Sequence, residues 1–259
     1  MDAFKAKGAA GLLLDSGSGE VLSLVSLPDY NINLRKNIID KSYTNKVTKN
    51  LYELGSVFKT FTVALALDEK ILEPDSLIEN ITNKLKCSIH KISDIHEFSE
   101  TMSVEDILIQ SSNVGSVKIA KKIGKEKYQS FFKKLNLLNT SSLELDEVST
   151  PLKLNWKNAC KLETVSYGHG VVTTPLQVAA AYGAITNGGY YVQPTLIMDN
   201  NKLADKKRVI LSSTSIKMNR ILRKVVTDDK GTASLADIFG YQVGGKTGTA
   251  QNYQKKKIN

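Results

Sequence analysis

Apolar positions along the chain change period several times, and each change falls at turn residues. The stretch "AAGLLLDSGSGEVLSLVSLPDY" (9–30) has apolar arms at Leu12–Leu14 and Val21–Val25 around "DSGSG". Glycines there can take the positive φ of a tight reversal, so the stretch predicts a hairpin that Pro28 closes. Residues 31–50 are polar, rich in Asn and Lys, and read as an irregular connection. Val57, Phe61 and Leu65 fall at helical spacing, and Phe58, Val63, Ala64, Ala66 and Leu67 make the segment apolar nearly all round. A helix over 56–70, between Gly55 and Pro74, is therefore expected inside a domain rather than on its surface. Residues 80–102 are polar and read as loop.

"SVEDILIQ" opens a further helix, with Ser103 and Asp106 in a capping pattern, and leads into "SSN" at 111–113. A helix from Val114 to Ile123 follows, stopped by Gly124. "KYQSFFKKLNLL" (127–138) is amphipathic on Tyr128, Phe131, Phe132 and Leu135, and 139–155 is a loop carrying Glu144, Asp146 and Glu147. In "SYGHGVVTTPLQVAAAYGAITNGG" (166–189), Thr174 suits an N-cap and Pro175 the first helical position, and Gly188 ends the run. "SSTSIKMNRILRKVVTD" (212–228) is amphipathic on Ile216, Met218, Ile221, Leu222 and Val225. "YQVGGKTGTAQ" (241–251) reads as a strand whose glycines permit close backbone approach. Hairpin, many helices, then a late strand argue an α+β fold, a sheet with helices against it. No repeat and no long linker divides the 259 residues.

Composition narrows the function. Hydrophobic residues at 41% and charged residues at 24% suit a globular chain with a sizeable core. The net charge of +9 would admit anionic partners, but the lysines are dispersed, with dense clusters only at "DKKR" (205–208) and "KKK" (255–257). With no basic stripe interleaved with aromatics, a nucleic-acid partner is not expected. His90, His96 and His169 lack metal-ligand spacing, so no metal site is expected, and no cofactor is expected either. Cys87 and Cys160 could form one disulfide in an oxidising compartment or remain core thiols. No 18-residue apolar run and no export signal is visible, which fits either a cytoplasmic protein or a piece of a longer exported chain.

Three short motifs carry the candidate chemistry. Ser56 and Lys59 are i and i+3 on one helix face. The serine lies where helix N–H groups point outward, and the lysine one turn deeper among Val57, Phe58, Phe61 and Thr62. Burial disfavours an ammonium and makes the amine a base that could activate the serine. Alone, the pair is a weak signal and more often an N-cap and a snorkelling lysine. Ser111 and Asn113, just beyond a helix, could turn one way, Ser111 to relay a proton and Asn113 to hold Lys59 and a substrate amide. Lys246-Thr247-Gly248-Thr249 would offer a fixed cation, hydroxyls, a flush surface for substrate backbone and a backbone N–H at Thr249. With the N–H of Ser56, that group could form an oxyanion hole. The order S-x-x-K, S-x-N, K-T-G is the signature of penicillin-recognising serine enzymes.

On these residues the sequence resembles the transpeptidase domain of class B penicillin-binding proteins, and most of all their division-specific branch. "ELGSVFKTFTVALAL", "SSNVGSVKIA" and "GGKTGTAQ" match its three motifs. The opening hairpin and "SYGHGVVTTPLQVAAAYGAITNGG" extend the likeness over nearly the whole chain. The resemblance implies a β-lactamase/transpeptidase-like fold, with an antiparallel sheet packed against helices and an all-helical subdomain. In it, 1–55 and 166–259 form the sheet side and 56–165 the mainly helical part of one domain spanning 1–259. It implies Ser56 as the nucleophile acylated by D-Ala-D-Ala stems and by β-lactams, Lys59 as its base, Ser111 and Asn113 as catalytic partners, and Lys246, Thr247, Gly248 and Thr249 as substrate-binding residues. It further implies peptidoglycan strands derived from lipid II as substrate, divisome proteins as partners, and a location at the periplasmic face of the inner membrane. Relative to that family the chain reads as a fragment without the membrane anchor, the pedestal domain and the strands after the third motif. A sensor or scaffold that binds β-lactams without catalysis, and a serine β-lactamase deacylating through Glu144 or Glu147, are the competing readings.

Overall fold

A computed structural model describes residues 1–34, 41–88, 90–198 and 206–249. The helices are α1 (Lys59–Asp68), α2 (Val104–Ile109), α3 (Asn113–Ile123), α4 (Lys125–Lys134), α5 (Lys161–Val165), α6 (Pro175–Thr186) and α7 (Ser212–Thr227). The strands are β1 (Ala9–Leu14), β2 (Val21–Leu27), β3 (Tyr52–Glu53), β4 (Leu77–Ile78), β5 (Lys84–Cys87), β6 (His90–Ser93), β7 (Met102–Ser103), β8 (Val172–Thr173), β9 (Tyr190–Val192) and β10 (Lys206–Arg208). Helix and strand are mixed, as expected. Among the described residues the strands pair only two by two. The chain divides into two compact units.

The first unit comprises Met1–Tyr52, Ser130–Lys153 and Val172–Ser215. Its hairpin is the one read from sequence: β1 pairs antiparallel with β2 from Ala9↔Leu27 to Leu14↔Val21, with an irregularity at Leu13/Leu14. The Asp15 carboxylate closes the turn by accepting from the N–H groups of Gly17 and Ser18, each at 2.8 Å. Helix α6 packs on β1 and β9. Its start is a full capping box, with the Thr174 side chain accepting from the Gln177 N–H and Gln177 reaching back to Thr174. Val47, Leu143 and Leu176 form a buried cluster joined by Leu12, Val21, Leu24 and Val148.

The second unit comprises Glu53–Gln129, Leu154–Val171 and Ile216–Asn259. Every residue of α1 from Lys59 to Leu67 is buried, as its all-round apolar sequence demands. It packs against α2 and α3, and α3 against α5. Phe58 and Phe61 meet edge to face at 5.4 Å, and each full burial contributes about 2–3 kcal/mol. Thr62 donates to the Ser166 carbonyl at 2.6 Å and also bonds the Tyr128 hydroxyl. In this interior, burial drives the Tyr128 phenol well above its ordinary range. The two cysteines are joined, Cys87 at the end of β5 to Cys160 just before α5.

Three expectations are corrected. Residues 80–102 are not loop throughout: β5 and β6 form a hairpin there and β4 pairs with β7. Short strands with alternating polar residues leave little periodic signal. Ile216 is 52% exposed although its spacing put it on the apolar face of α7, while Val226 is buried there. Residues 241–249 are not a ladder strand. Their backbone is bonded to a helix instead: the Gly245 N–H donates to the Leu222 carbonyl at 3.1 Å and the Arg223 guanidinium to the Val243 carbonyl at 2.8 Å. Residues 250–251 of that expected strand, and the "KKK" cluster, lie outside the described residues.

Candidate active site

The site lies within the second unit and is built around a glycine. Gly55 has φ +61 and opens a 3₁₀ turn, Gly55–Phe58, that runs straight into α1. A Cβ on Gly55 would stand 2.4 Å from the Thr249 carbonyl oxygen, and one on Gly168 (φ +88) would stand 2.0 Å from the Gly55 carbonyl oxygen. Only glycine permits these approaches. Three segments distant in sequence therefore meet in the peptide just before Ser56: the turn itself, "YGH" at 167–169 and the end of "KTGT". Gly248 serves the same packing, since a Cβ there would stand 2.5 Å from the Leu54 carbonyl oxygen and 2.9 Å from Val57 Cγ1. The flush surface expected at Gly248 is thus turned to the protein's own turn around Ser56.

Lys59 begins α1 and is 1% exposed. Its Nζ donates to the Ser111 carbonyl and, at 3.0 Å, to Ser111 Oγ. Burial pushes the amine down to about 7, the nearby Lys246 cation adds to that, and the Asp94 carboxylate opposes it. Burial likewise lowers Lys246 to about 8. The Lys246 Nζ reaches the Thr247 carbonyl at 3.2 Å and Thr247 Oγ1 at 3.3 Å, and Thr247 Oγ1 donates to Thr232 Oγ1 at 2.9 Å.

Ser111 holds both its oxygens on Lys59 by adopting φ +66, a left-handed conformation that costs a non-glycine residue on the order of 1 kcal/mol. Ser112 then caps α3, accepting from the Gly115 N–H at 2.9 Å. Asp94, directly after β6, braces this corner. Its carboxylate accepts from Ser112 Oγ at 2.9 Å, from the Asn113 N–H and from the Val114 N–H at 3.3 Å, where the helix N-terminus favours negative charge. Asn113 Nδ2 donates to the Ser93 carbonyl at 2.8 Å. The contact with Lys59 that sequence assigned to Asn113 is made by Ser111.

Ser56, Lys59, Ser111, Asn113, Thr247 and Thr249 line one cavity of about 380 Å³. Lys246 and Gly248 adjoin this lining, Lys246 through its bonds to Thr247 and Gly248 through its packing on Leu54 and Val57. Glu53, Lys91, Ser93, Tyr167, His169 and Thr232 line it too. Sequence reading did not single these out, nor Asp94. Asp94 has no local pattern, because its partners lie 18 to 20 residues away. "SYGHG" was read only as the lead-in to the helix capped by Thr174 and as part of the family resemblance. Glu144 and Glu147 are engaged within the first unit. Glu144 accepts from Thr195 Oγ1 and the Leu196 N–H, and Glu147 from the Asn45 N–H. Among the described residues no cluster of His, Cys, Asp and Glu could hold a metal, and no helix is long and apolar enough to cross a membrane.

Ser56 at the mouth of an apolar helix, the buried Lys59 amine beside Ser111, and Thr247 and Thr249 share one cavity, an arrangement that suits serine acyl transfer. The chain belongs to the penicillin-binding protein transpeptidase domain family, whose model matches residues 9–259. Among curated proteins it is similar to the probable peptidoglycan D,D-transpeptidase FtsI of Caulobacter vibrioides, at 32% identity over 96% of this chain and 43% of that protein. It is also similar to the probable peptidoglycan D,D-transpeptidase PenA of Neisseria flavescens, at 30% identity over 95% of this chain and 61% of that one. The chain thus spans about half the length of these curated relatives. Among solved structures, the apo transpeptidase domain of penicillin-binding protein 3 from Burkholderia pseudomallei superposes with a TM-score of 0.87 at 30% identity, over 98% of this chain and 73% of that one. Neighbours of this kind give the fold as that of penicillin-binding transpeptidase domains.

Proposed function

We propose that this chain is the acyl-transferring part of a peptidoglycan D,D-transpeptidase of the FtsI type. The observation that carries the reading is Lys59: fully buried, lowered to about 7, and bonded to Ser111 Oγ at 3.0 Å on the cavity that Ser56 lines. Near neutrality that amine is half unprotonated and takes the Ser56 Oγ proton as the oxygen attacks the penultimate D-alanine carbonyl of a peptide stem. Backbone N–H groups of Ser56 and Thr249 receive the developing oxyanion, a role supported by the contact of the Thr249 backbone with Gly55. Lys246, with Thr247 and Thr249, holds the terminal carboxylate of the donor. Ser111 Oγ passes the proton from Lys59 to the departing D-alanine nitrogen, the C–N bond breaks, and Ser56 is left as an ester. An amine from a neighbouring stem then attacks the ester, which forms the crosslink and returns a proton to Ser56.

The wider reading follows the family. It comprises septal wall synthesis in cell division, divisome partners, work at the periplasmic face of the inner membrane, and a sheet-side part (1–55, 166–259) around a mainly helical part (56–165). Incubation with a fluorescent penicillin, intact-mass measurement and mapping of the labelled peptide test the core of it. One label per chain at Ser56, absent in Ser56→Ala, is expected; equal labelling of the variant refutes the assignment.

A further inference from the structure

The transpeptidase reading gives no task to the carboxylate that lines the cavity. Glu53 is the only carboxylate among the described residues that line it, where Lys59 and Lys91 also stand. It precedes the nucleophile by three residues, in the strand that leads into the glycine turn. Its Oε2 lies 3.3 Å from His169 Nδ1, and the Tyr167 ring stacks on that imidazole at 6.3 Å with 10° between planes. Gly168, between these two rings, is the residue pressed onto Gly55. The backbone contact that places Ser56 therefore also fixes where Glu53 and His169 stand. The Glu53 side chain is 26% exposed, enough to meet a ligand and sheltered enough for a charge contact to count.

We propose that Glu53, oriented by His169, is an ammonium-binding subsite that takes a primary amine of the peptide substrate. The proposal rests on the transpeptidase reading. In that reaction one end of the cavity takes a carboxylate through Lys246, and the substrates that enter also carry amines. Glu53 is the one carboxylate on this lining among the described residues, and a carboxylate held in such a cleft is where an ammonium group settles. That amine could belong to a side chain of the donor stem or be the acceptor amine itself; the chemistry recognised is the same. His169 is a positioning residue, acting through the carboxylate it touches.

Two ratios, each read within a single variant so that partial loss of folded protein cancels, test the subsite. One is the acylation of Ser56 by a thioester peptide donor bearing a free side-chain amine, relative to the same donor N-acetylated. The other is aminolysis over hydrolysis of the acyl-enzyme with a simple primary amine as acceptor. Glu53→Gln is expected to lower one of them about tenfold, the worth of one charge-assisted contact. A fall in the first assigns the amine to the donor, and a fall in the second to the acceptor. If both ratios stay within twofold of the unaltered chain, the proposal is overturned. Should Glu53→Gln take no penicillin label, the ratios are read in His169→Ala, where a loosened carboxylate must lower one about threefold and unchanged values again overturn it. Failure of the unaltered chain to take penicillin at Ser56 is a different result: it removes the transpeptidase reading, and this subsite with it.

Discussion

The depression of Lys59 has a large and signed consequence for activity. A lysine at its ordinary 10.5 and one at about 7 differ by about 5 kcal/mol in the relative cost of the charged form. At pH 7 that raises the unprotonated fraction from about one in three thousand to about one half, a gain of about 1,500-fold in usable base. Acylation of Ser56 should rise through pH 7 as Lys59 deprotonates. For a donor bearing a carboxylate it should decline above about 8, where Lys246 loses its charge. The two amines interact, so the limbs of this bell belong to the pair. Substitution separates them. Lys246→Met removes a like charge, raises the Lys59 pKa, moves the ascending limb to higher pH and abolishes the descending one. Asp94→Asn removes the opposing charge and moves the ascending limb to lower pH. Stability carries the same signature. Between about 7 and 10.5 the unfolded chain binds the Lys59 proton and the folded chain does not, so folding strengthens as pH rises through that window. Lys59→Met loses that part of the slope, while Lys246 keeps its own between about 8 and 10.5. Stopped-flow labelling with a fluorescent penicillin from pH 5.5 to 9.5 is the assay. An ascending limb near pH 10 in the unaltered chain, or movement of the limb in the same direction by Asp94→Asn and Lys246→Met, refutes the reasoning.

Three further outcomes follow from the packing. Gly55→Ala must force a Cβ to within 2.4 Å of the Thr249 carbonyl at φ +61, so penicillin labelling should fall more than tenfold. Gly124→Ala is its control, with equally positive φ but nothing within 4 Å; it should cost only about 1 kcal/mol by denaturant unfolding and keep its labelling. Replacing both Cys87 and Cys160 by serine opens a closure across 73 residues, worth about 4 kcal/mol on the chain-entropy account. A marked drop in melting temperature is expected there, with no added effect of dithiothreitol. Thr174→Ala breaks the capping box of α6 and should lower stability by about 1 kcal/mol, measured by denaturant unfolding.

What could be read in the sequence was local. The hairpin at 9–27, the caps at Ser103 and Thr174, the stop at Gly124 and the buried α1 are each set by residues within a few positions of one another, and each is present. The three motifs were legible for the same reason, and six of their eight residues line one cavity. Non-local pairing was not legible. Nothing in "GGKTGTAQ" says that its backbone binds the end of α7 rather than a strand. Nothing at Gly248 says that its missing Cβ leaves room for Leu54 and Val57. Asp94 is a polar residue in a polar stretch until α3 folds against it.

Where local preference and structure disagree, the disagreements gather at the cavity. Asp and Glu belong in the first turn of a helix, and α2 has Glu105 and Asp106 there. Helix α1 instead opens on a lysine, at the positive end of its dipole and under full burial. Ser111 takes a left-handed conformation that glycine would adopt more easily, and Gly55 is strained for any other residue. Each departure weakens the fold on its own, and the apolar remainder of α1, from Phe61 to Leu67, supplies burial that offsets it. The same departures leave the amine about half unprotonated near neutrality, turn two oxygens onto it, and bring Thr249 against the turn around Ser56. A variant that repaired one of them, such as Ser111→Gly, would relax the backbone but lose the hydroxyl. It should therefore unfold no more easily than the unaltered chain while labelling more slowly with penicillin. Loss of stability without loss of labelling would mean that the strain at Ser111 serves the fold rather than the chemistry.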